Sequence, residues 1–165
     1  MAIFTEPTCG EPPGISWFDD EELSTRSARA GRQTGGETES PMPFVCPQCS
    51  VKSLKVTSKI ELPSDSRSDE ITLQIVLCSR CGFAGLAVYE ESRRGALGSE
   101  SFDHTGYRVS VDDLRRVKRA IERCPKPRDR RCKCSAHREL GSKDASGRWN
   151  GLKDVQREGA FRLKL

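Results

Sequence analysis

Four cysteines are arranged as two pairs, and two residues separate the members of each pair. Cys46 and Cys49 form the first pair, and Cys78 and Cys81 form the second. A CxxC turn places two thiolates on one side of a tight loop, and four thiolates make the tetrahedral sulfur shell that zinc prefers in structural sites. Two separate redox-active pairs are the alternative, but neither pair has the strand–helix context of such pairs. The spacing therefore predicts one shared site of four cysteines.

A second group of metal-ligating residues follows the pattern C-x7-C-x-C-x2-H and comprises Cys124, Cys132, Cys134 and His137. Three thiolates and one imidazole complete a tetrahedral zinc shell, in a stretch too rich in Pro, Arg and Lys to build an apolar core. Free surface thiols are the alternative, and they would be prone to oxidation. We predict two Zn²⁺ ions per chain, and a four-sulfur site also accepts iron. Because protein atoms fill all four positions of each cluster, we expect structural metals and no zinc-based enzyme activity.

Alternating apolar residues predict the strands that bring the cysteine pairs together. The apolar residues of 54–62 lie at even positions, and apolar residues recur at odd positions in residues 71–77, after a polar turn at residues 63–70. Leu86 and Val88 indicate a third short strand. The first pair of cysteines precedes the first strand and the second pair ends the second strand, so an antiparallel hairpin places both pairs at one end. We predict a three-stranded antiparallel sheet that is apolar on one face.

With these cysteine pairs at the end of a hairpin, residues 43–90 resemble the zinc-ribbon superfamily. Ser50 departs from the family pattern, in which glycine is common at that position of the first turn. The resemblance implies a ribbon fold with the four cysteines as metal ligands. It implies little about function, because zinc ribbons occur in polymerase subunits, transcription factors, ribosomal proteins and many enzymes.

The predicted turn carries the sequence Arg67–Ser68–Asp69–Glu70, which resembles the acidic element at the hairpin tip of transcript-cleavage factors. The alanine of that element is missing here. The resemblance implies that Asp69 and Glu70 help to hold a catalytic magnesium ion at a polymerase active centre, and magnesium prefers such oxygen ligands. The alternative is that a turn simply requires polar residues.

One basic helix is predicted after a loop at residues 92–108. Ser110 is a typical N-cap residue, an apolar stripe runs to Ile121, and Pro125 ends the helix. Residues 111–138 carry 11 basic and 4 acidic groups, and arginine is well suited to phosphate contacts. The candidate nucleic-acid contacts are Arg115, Arg119, Arg123, Arg130 and Arg131.

Charge is unevenly distributed along the 165 residues, whose formal net charge is +4. The net charge is −5 in residues 1–45, zero in residues 46–93 and +9 in residues 94–165. Residues 1–42 are rich in Gly, Ser, Thr, Glu and Pro, which predicts a disordered acidic tail. The basic half predicts nucleic acid or a nucleoprotein complex as partner, and the acidic tail either docks to a protein or masks the basic half. A solvated surface without such a partner is the alternative.

No apolar run approaches the ~20 residues of a membrane span, and the N-terminus lacks the basic and apolar regions of a signal peptide. Eight cysteines without an export signal indicate metal ligands in a reducing compartment. We therefore expect a cytoplasmic protein, or a nuclear one in a eukaryote, that is neither secreted nor bound to a membrane.

Together these features predict a small α+β metal-stapled domain and a zinc-binding protein with a nucleic-acid-associated or transcription-related role. The predicted segments are a disordered acidic tail (1–42), a zinc ribbon (43–93), a loop with the basic helix and Cys3His cluster (94–140), and a C-terminal tail or short strand (141–165). Two alternatives stay open: a protein-interaction adaptor with purely structural zinc, and a cleavage-factor-like activity of Asp69 and Glu70. His104 is either a general base oriented by Asp103 or a histidine with only a hydrogen bond.

Overall fold

The computed structural model of the chain describes residues 42–93 and 101–165. The predicted acidic tail lies outside the described residues except for Met42, and Cys9 lies outside them as well. The described residues form six strands and two helices. The strands are β1 (Phe44–Val45), β2 (Lys52–Leu62), β3 (Glu70–Cys78), β4 (Ala84–Ser92), β5 (Ser101–Val109) and β6 (Arg157–Arg162), and the helices are α1 (Val111–Glu122) and α2 (Ser135–Leu140).

All six strands join one antiparallel sheet in the order β1-β2-β3-β4-β5-β6. The sheet curls into a half-barrel, and the backbone N–H of Val45 in β1 donates a hydrogen bond of 2.8 Å to the carbonyl of Lys164, just beyond β6. The predicted three-stranded ribbon followed by one basic helix is therefore wrong. Strands β1, β5 and β6 enlarge the sheet, and α2 is a second helix that the sequence pattern did not indicate.

Strand β5 occupies residues 101–108 of the stretch for which the sequence predicts a loop. It pairs with β4 from Tyr107 opposite Leu86 to Ser101 opposite Ser92. Tyr107 and Val109 pack against the core, whereas polar residues fill most of the remaining positions. The position of β5 is set by backbone pairing with β4 and not by burial of an apolar face. Its sequence therefore shows no apolar alternation.

A β-bulge between Val56 and Ser58 divides β2 into two halves with opposite side-chain orientation. Before the bulge, Val56 lies opposite Val76 in β3; after it, Ile60 lies opposite Leu73. Because Val76 and Leu73 differ by an odd number of residues, they face opposite sides of β3. The prediction of a single apolar face was therefore wrong, since one extra residue transfers the second half of β2 to the other face.

Each face of the sheet consequently carries its own apolar cluster. The larger cluster lies between the sheet and the two helices, and its strand residues are Ile60, Leu62, Ile71, Leu73, Ile75, Leu86 and Val88. The smaller cluster surrounds the first cysteine group on the other face and consists of Cys46, Leu54, Val76, Cys78, Phe83 and Ala87. Three of the predicted metal ligands are thus core residues: Cys46 and Cys78 in the smaller cluster and Cys124 in the larger one.

Helix α1 follows the pattern predicted from the sequence. The hydroxyl of Ser110 accepts a hydrogen bond of 3.1 Å from the backbone N–H of Asp113, which confirms the predicted N-cap. Leu114, Val117 and Ile121 are buried in the larger cluster. Neither helix of the described residues has the length and apolar character needed to cross a membrane.

The connection between β2 and β3, residues 63–69, lies under the C-terminal segment 141–150. The backbone N–H of Trp149 donates to the carboxylate of Asp65, and Lys143 Nζ donates to the carbonyl of Ser64. Asp65 is buried, and although burial raises its pKa, hydrogen bonds from backbone N–H groups, with that of Trp149 foremost, lower the pKa below its usual value. The C-terminal region therefore packs on the hairpin connection before it ends in strand β6.

Candidate metal centres

The first candidate centre, site 1, consists of Cys46, Cys49, Cys78 and Cys81, whose sulfur atoms all lie within 4.8 Å of one another. The Sγ atoms of Cys46 and Cys81 are 3.7 Å apart, and so are those of Cys49 and Cys78. A tetrahedron with metal–sulfur bonds of about 2.3 Å has edges of about 3.8 Å, whereas a disulfide needs about 2.05 Å between its sulfurs. This group could therefore hold one metal ion.

Two tight turns of similar backbone shape present the ligands of site 1. The first turn joins β1 to β2 and the second joins β3 to β4. In the first, the N–H of Ser50 donates to the carbonyl of Cys46; in the second, the N–H of Gly82 donates to that of Cys78. Both turns end in the left-handed region, with φ of 57° at Ser50 and 73° at Gly82. Ser50 departs from the zinc-ribbon pattern at a position whose backbone favours glycine.

The thiol of Cys78 in site 1 has a lowered pKa. Burial raises the pKa of Cys78, but hydrogen bonds from the hydroxyl of Ser53, at 3.0 Å, and from backbone N–H groups of the turn outweigh burial and bring the pKa down to about 6. Burial raises the pKa of Cys81 to about 12 and also raises that of Cys46. Metal binding at site 1 therefore has to displace protons.

The second candidate centre, site 2, consists of Cys124, Cys132, Cys134 and His137, whose ligand atoms also lie within 4.8 Å of one another. Nδ1 of His137 is 3.3 Å from the sulfur of Cys124 and 3.4 Å from that of Cys134. A tetrahedron with zinc–sulfur and zinc–nitrogen bonds has mixed edges of about 3.5 Å. This group could hold a second metal ion.

The imidazole of His137 is oriented by β2. Its Nε2 lies 3.0 Å from the carbonyl oxygen of Glu61, and because a carbonyl only accepts hydrogen bonds, Nε2 must carry the proton. In the neutral ring Nδ1 is then unprotonated and points at the cysteine sulfurs. A hydrogen bond on the opposite nitrogen is the usual partner of a metal-bound histidine.

Site 2 joins three elements of the fold. Cys124 follows the C-cap residue of α1, Cys134 is the N-cap residue of α2, and the N–H of Glu61 in β2 donates to the carbonyl of Pro127 at 2.7 Å. Burial raises the pKa of Cys124 to about 11. Hydrogen bonds from His137, first from its backbone N–H, lower the pKa of Cys134 to about 6. Each centre thus pairs one easily ionised thiol with a thiol that resists ionisation.

The acidic pair predicted at the hairpin tip lies among ion pairs. Oε1 of Glu70 is 3.3 Å from Arg93 and 3.6 Å from Arg130, and the carboxylate of Asp69 accepts the backbone N–H of Arg93. The neighbouring connection is covered by the C-terminal segment. These contacts place Asp69 and Glu70 in the packing of the strand ends.

The five arginines predicted to contact nucleic acid differ in whether they contact an acidic residue in the structure. Arg130 contacts Glu70, and Arg115 lies 3.7 Å from Asp112. The exposed side chains of Arg119, Arg123 and Arg131 have no hydrogen bond or ion pair to another described residue.

His104 lies in β5, where its Nε2 is 2.9 Å from Oε1 of Gln74. The rings of Phe44 and Tyr89 contact it edge-on, and burial lowers its pKa. Its contacts are those of a packed side chain with one hydrogen bond.

Sequence patterns did not reveal the groups that support the ligands. Ser53 is one of many serines in the chain, and the partner of His137 is a backbone carbonyl, which any residue would supply. Comparisons with protein-family models, curated proteins and solved structures find no match.

Proposed function

We propose that the protein binds two structural zinc ions and acts as a nucleic-acid-associated module. The observation that carries the zinc proposal is the spacing of the sulfurs in site 1: two sulfur–sulfur distances of 3.7 Å lie about 0.1 Å from the edge of a zinc–thiolate tetrahedron, and all four sulfurs lie within 4.8 Å of one another. The resemblance of the two cysteine turns to those of zinc ribbons supports the same metal. In site 2, the combination of three thiolates with an oriented imidazole favours zinc over an iron–sulfur centre.

A structural role for both metals follows from the number of ligands. Each centre provides four protein ligands, which leaves no position at which a tetrahedral zinc would activate a water molecule. The two apolar clusters are also modest for the size of the sheet, and small domains with modest cores commonly depend on metals for stability.

The association with nucleic acid is supported by charge. Residues 111–138 carry 11 basic and 4 acidic groups, and this excess lies on exposed parts of α1 and of the loop that holds site 2. Such a surface attracts polyanions, and arginine forms bidentate contacts with phosphate.

Two measurements on the full chain test the proposal. Native mass spectrometry with elemental analysis should find two zinc ions per chain; one metal, or iron in place of zinc, would contradict the assignment. Fluorescence anisotropy should detect binding to nucleic acid that weakens as salt is added, because neutralised phosphates release counterions. Failure to bind any nucleic acid at low salt would favour a protein-interaction adaptor.

A further inference from the structure

The positive surface around site 2 contains cations that differ in their local partners. Some are neutralised within the fold: Arg116 lies 2.9 Å from Asp113, and Lys118 lies 3.8 Å from Glu122. Seven others are exposed and have no hydrogen bond or ion pair from their side chains to another described residue. These seven, the unpaired cations, are Arg119, Arg123, Lys126, Arg128, Arg131, Lys133 and Arg138.

The unpaired cations are distributed around the ligands of site 2. Every ligand has at least one of them as an immediate neighbour in the chain: Arg123 before Cys124, Arg131 and Lys133 around Cys132, Lys133 before Cys134, and Arg138 after His137. Neighbouring Cα atoms are 3.8 Å apart, so a metal that gathers the four ligands also fixes the backbone that carries these cations. A divalent metal with three thiolates and a neutral imidazole has a formal charge of about −1, so it does not repel them.

A groove on α1 continues this surface. It has a volume of 590 Å³ and is lined by Arg116, Arg119, Glu122 and Arg123. Arg119 and Arg123 are one helical turn apart, about 6 Å along the axis. Its one carboxylate, that of Glu122, is already paired with Lys118. Arg123 belongs to the groove and also adjoins Cys124, so the groove and site 2 form one positive surface.

The composition of this surface indicates what part of a nucleic acid it contacts. Residues 110–140 contain no Phe, Tyr or Trp, and single-stranded nucleic acid is bound largely by stacking bases on such rings. They also contain no Asn or Gln, the side chains that read adenine. The surface is therefore suited to contacts with phosphates rather than with bases. A duplex presents twice the charge per unit length of one strand, so it offers this surface more phosphates.

We infer that the unpaired cations bind the phosphates of duplex nucleic acid without sequence preference, and that the metal of site 2 organises them for this contact. This inference rests on the proposed association with nucleic acid and adds the form of the ligand and the dependence on one of the two metals. Site 1 lies on the other face of the sheet and is not part of the contact surface.

The test uses the full metal-loaded chain, two labelled DNA duplexes of unrelated sequence, and a single strand of equal length, in anisotropy titrations at several salt concentrations. We expect equal affinity for the two duplexes and weaker binding of the single strand. The double variant R119E/R123E should bind the duplex about tenfold more weakly and lower the slope of log affinity against log salt by about 2. The matched control K52E/K55E makes the same change in charge on the exposed side chains of β2. It should leave the duplex affinity and the salt slope unchanged.

Dependence on the metal is tested with variants of the ligands. Cys134→Ser should lose the metal of site 2 and bind the duplex more weakly, whereas His137→Cys keeps four ligands and should retain both metal and affinity. If Cys134→Ser does not fold, R131E/K133E, which changes no ligand, should still weaken binding. Unaltered binding by a folded Cys134→Ser variant with one metal would overturn the role of site 2.

The remaining outcomes separate this inference from the broader proposal. Unchanged affinity of R119E/R123E, preference for the single strand, or a difference between the two duplexes would overturn the inference while leaving a nucleic-acid-binding protein. Binding to anionic lipid vesicles with no binding to any nucleic acid would overturn both.

Discussion

The two candidate metal centres have the same burial but different surroundings. Each has two buried and two half-buried ligands. Site 1 is built from turns of the sheet, and two of its cysteines belong to the smaller apolar cluster. Site 2 is built from the ends of two helices and a basic loop, and its histidine is held by a carbonyl of β2. Equal burial therefore does not imply equal roles: site 1 completes the smaller apolar cluster, whereas site 2 attaches the basic surface to the larger cluster, of which Cys124 is a member.

The largest effect is expected from Cys78→Ser. This change removes a ligand that is 1% exposed and a thiol whose pKa is lowered to about 6. Structural zinc contributes on the order of 10 kcal/mol in small metal-dependent domains, which is comparable to the whole stability of a typical domain. We expect loss of the sheet signal in far-UV circular dichroism and loss of metal.

Cys9→Ser is the matched control, because Cys9 is the one cysteine in neither group. It should leave two metals and an unchanged spectrum. A Cys78→Ser protein with native sheet signal and thermal stability would show that site 1 is not part of the core.

A smaller effect is expected from Cys134→Ser in site 2. Leu114, Val117 and Ile121 still anchor α1 in the larger cluster, so the sheet should persist while α2 and the loop before it loosen. Native mass spectrometry should find one metal per chain, and the thermal midpoint should fall by less than in Cys78→Ser. Complete unfolding of the Cys134→Ser variant would contradict the distinction between the roles of the two centres.

Ser53→Ala should change the pH dependence of metal binding at site 1 but not at site 2. The Ser53 hydroxyl helps to hold the pKa of Cys78 at about 6, so removing it raises that pKa and leaves the thiol more protonated near neutral pH. Metal and protons compete for the sulfur, so occupancy of site 1 should be lost at a higher pH than in the native chain, with an affinity lower by about 1 kcal/mol at neutral pH. Metal retention across a pH series measures this, and a shift at site 2 instead would contradict it.

The smallest effect concerns the two turns of site 1. Ser50 has a φ of 57°, and replacing it with glycine should raise stability by up to about 1 kcal/mol, because glycine adopts this conformation without strain. The reciprocal change Gly82→Ser should lower stability by a similar amount. A Cβ atom at Gly82 would have no atom of the described residues within 4 Å, so the two substitutions test backbone strain with little change in packing. Thermal denaturation of both variants measures the difference, and equal shifts of the same sign would contradict it.

Sequence patterns predicted the metal groups better than the fold around them. Ligand spacing is a local property, so the CxxC turns and the C-x-C-x2-H cluster can be read directly. Strands β2 to β4 contain apolar residues in alternation, which also shows in the sequence. Strand β5 is placed by pairing with β4, and no local pattern encodes that pairing.

The sequence marks the bulge in β2 only by one break in the alternation. Ser58 is polar where residues 54–62 would otherwise carry an apolar side chain, and the pairing slips between Val56 and Ser58 and divides the apolar residues between two cores. One polar residue in a strand does not by itself reveal that slip. Nor does the sequence indicate that a carbonyl of Glu61 orients His137, because backbone atoms are the same at every position. What could not be predicted therefore depends on which distant segments meet.

Strand β2 reaches both metal centres, so hydrogen bonds at its two ends can report separately on the loss of metal from each centre. At one end the carbonyl of Ser53 accepts the N–H of Ser79 beside site 1; at the other, the N–H of Glu61 donates to Pro127 beside site 2. Amide hydrogen exchange follows local opening, so the amides of Ser79 and Glu61 would register the loosening of each centre separately. Ile60, whose side chain is fully buried, supplies an internal reference on the same strand. A stepwise removal of metal could thus be followed in one spectrum as two separate losses of protection, one at Ser79 beside site 1 and one at Glu61 beside site 2.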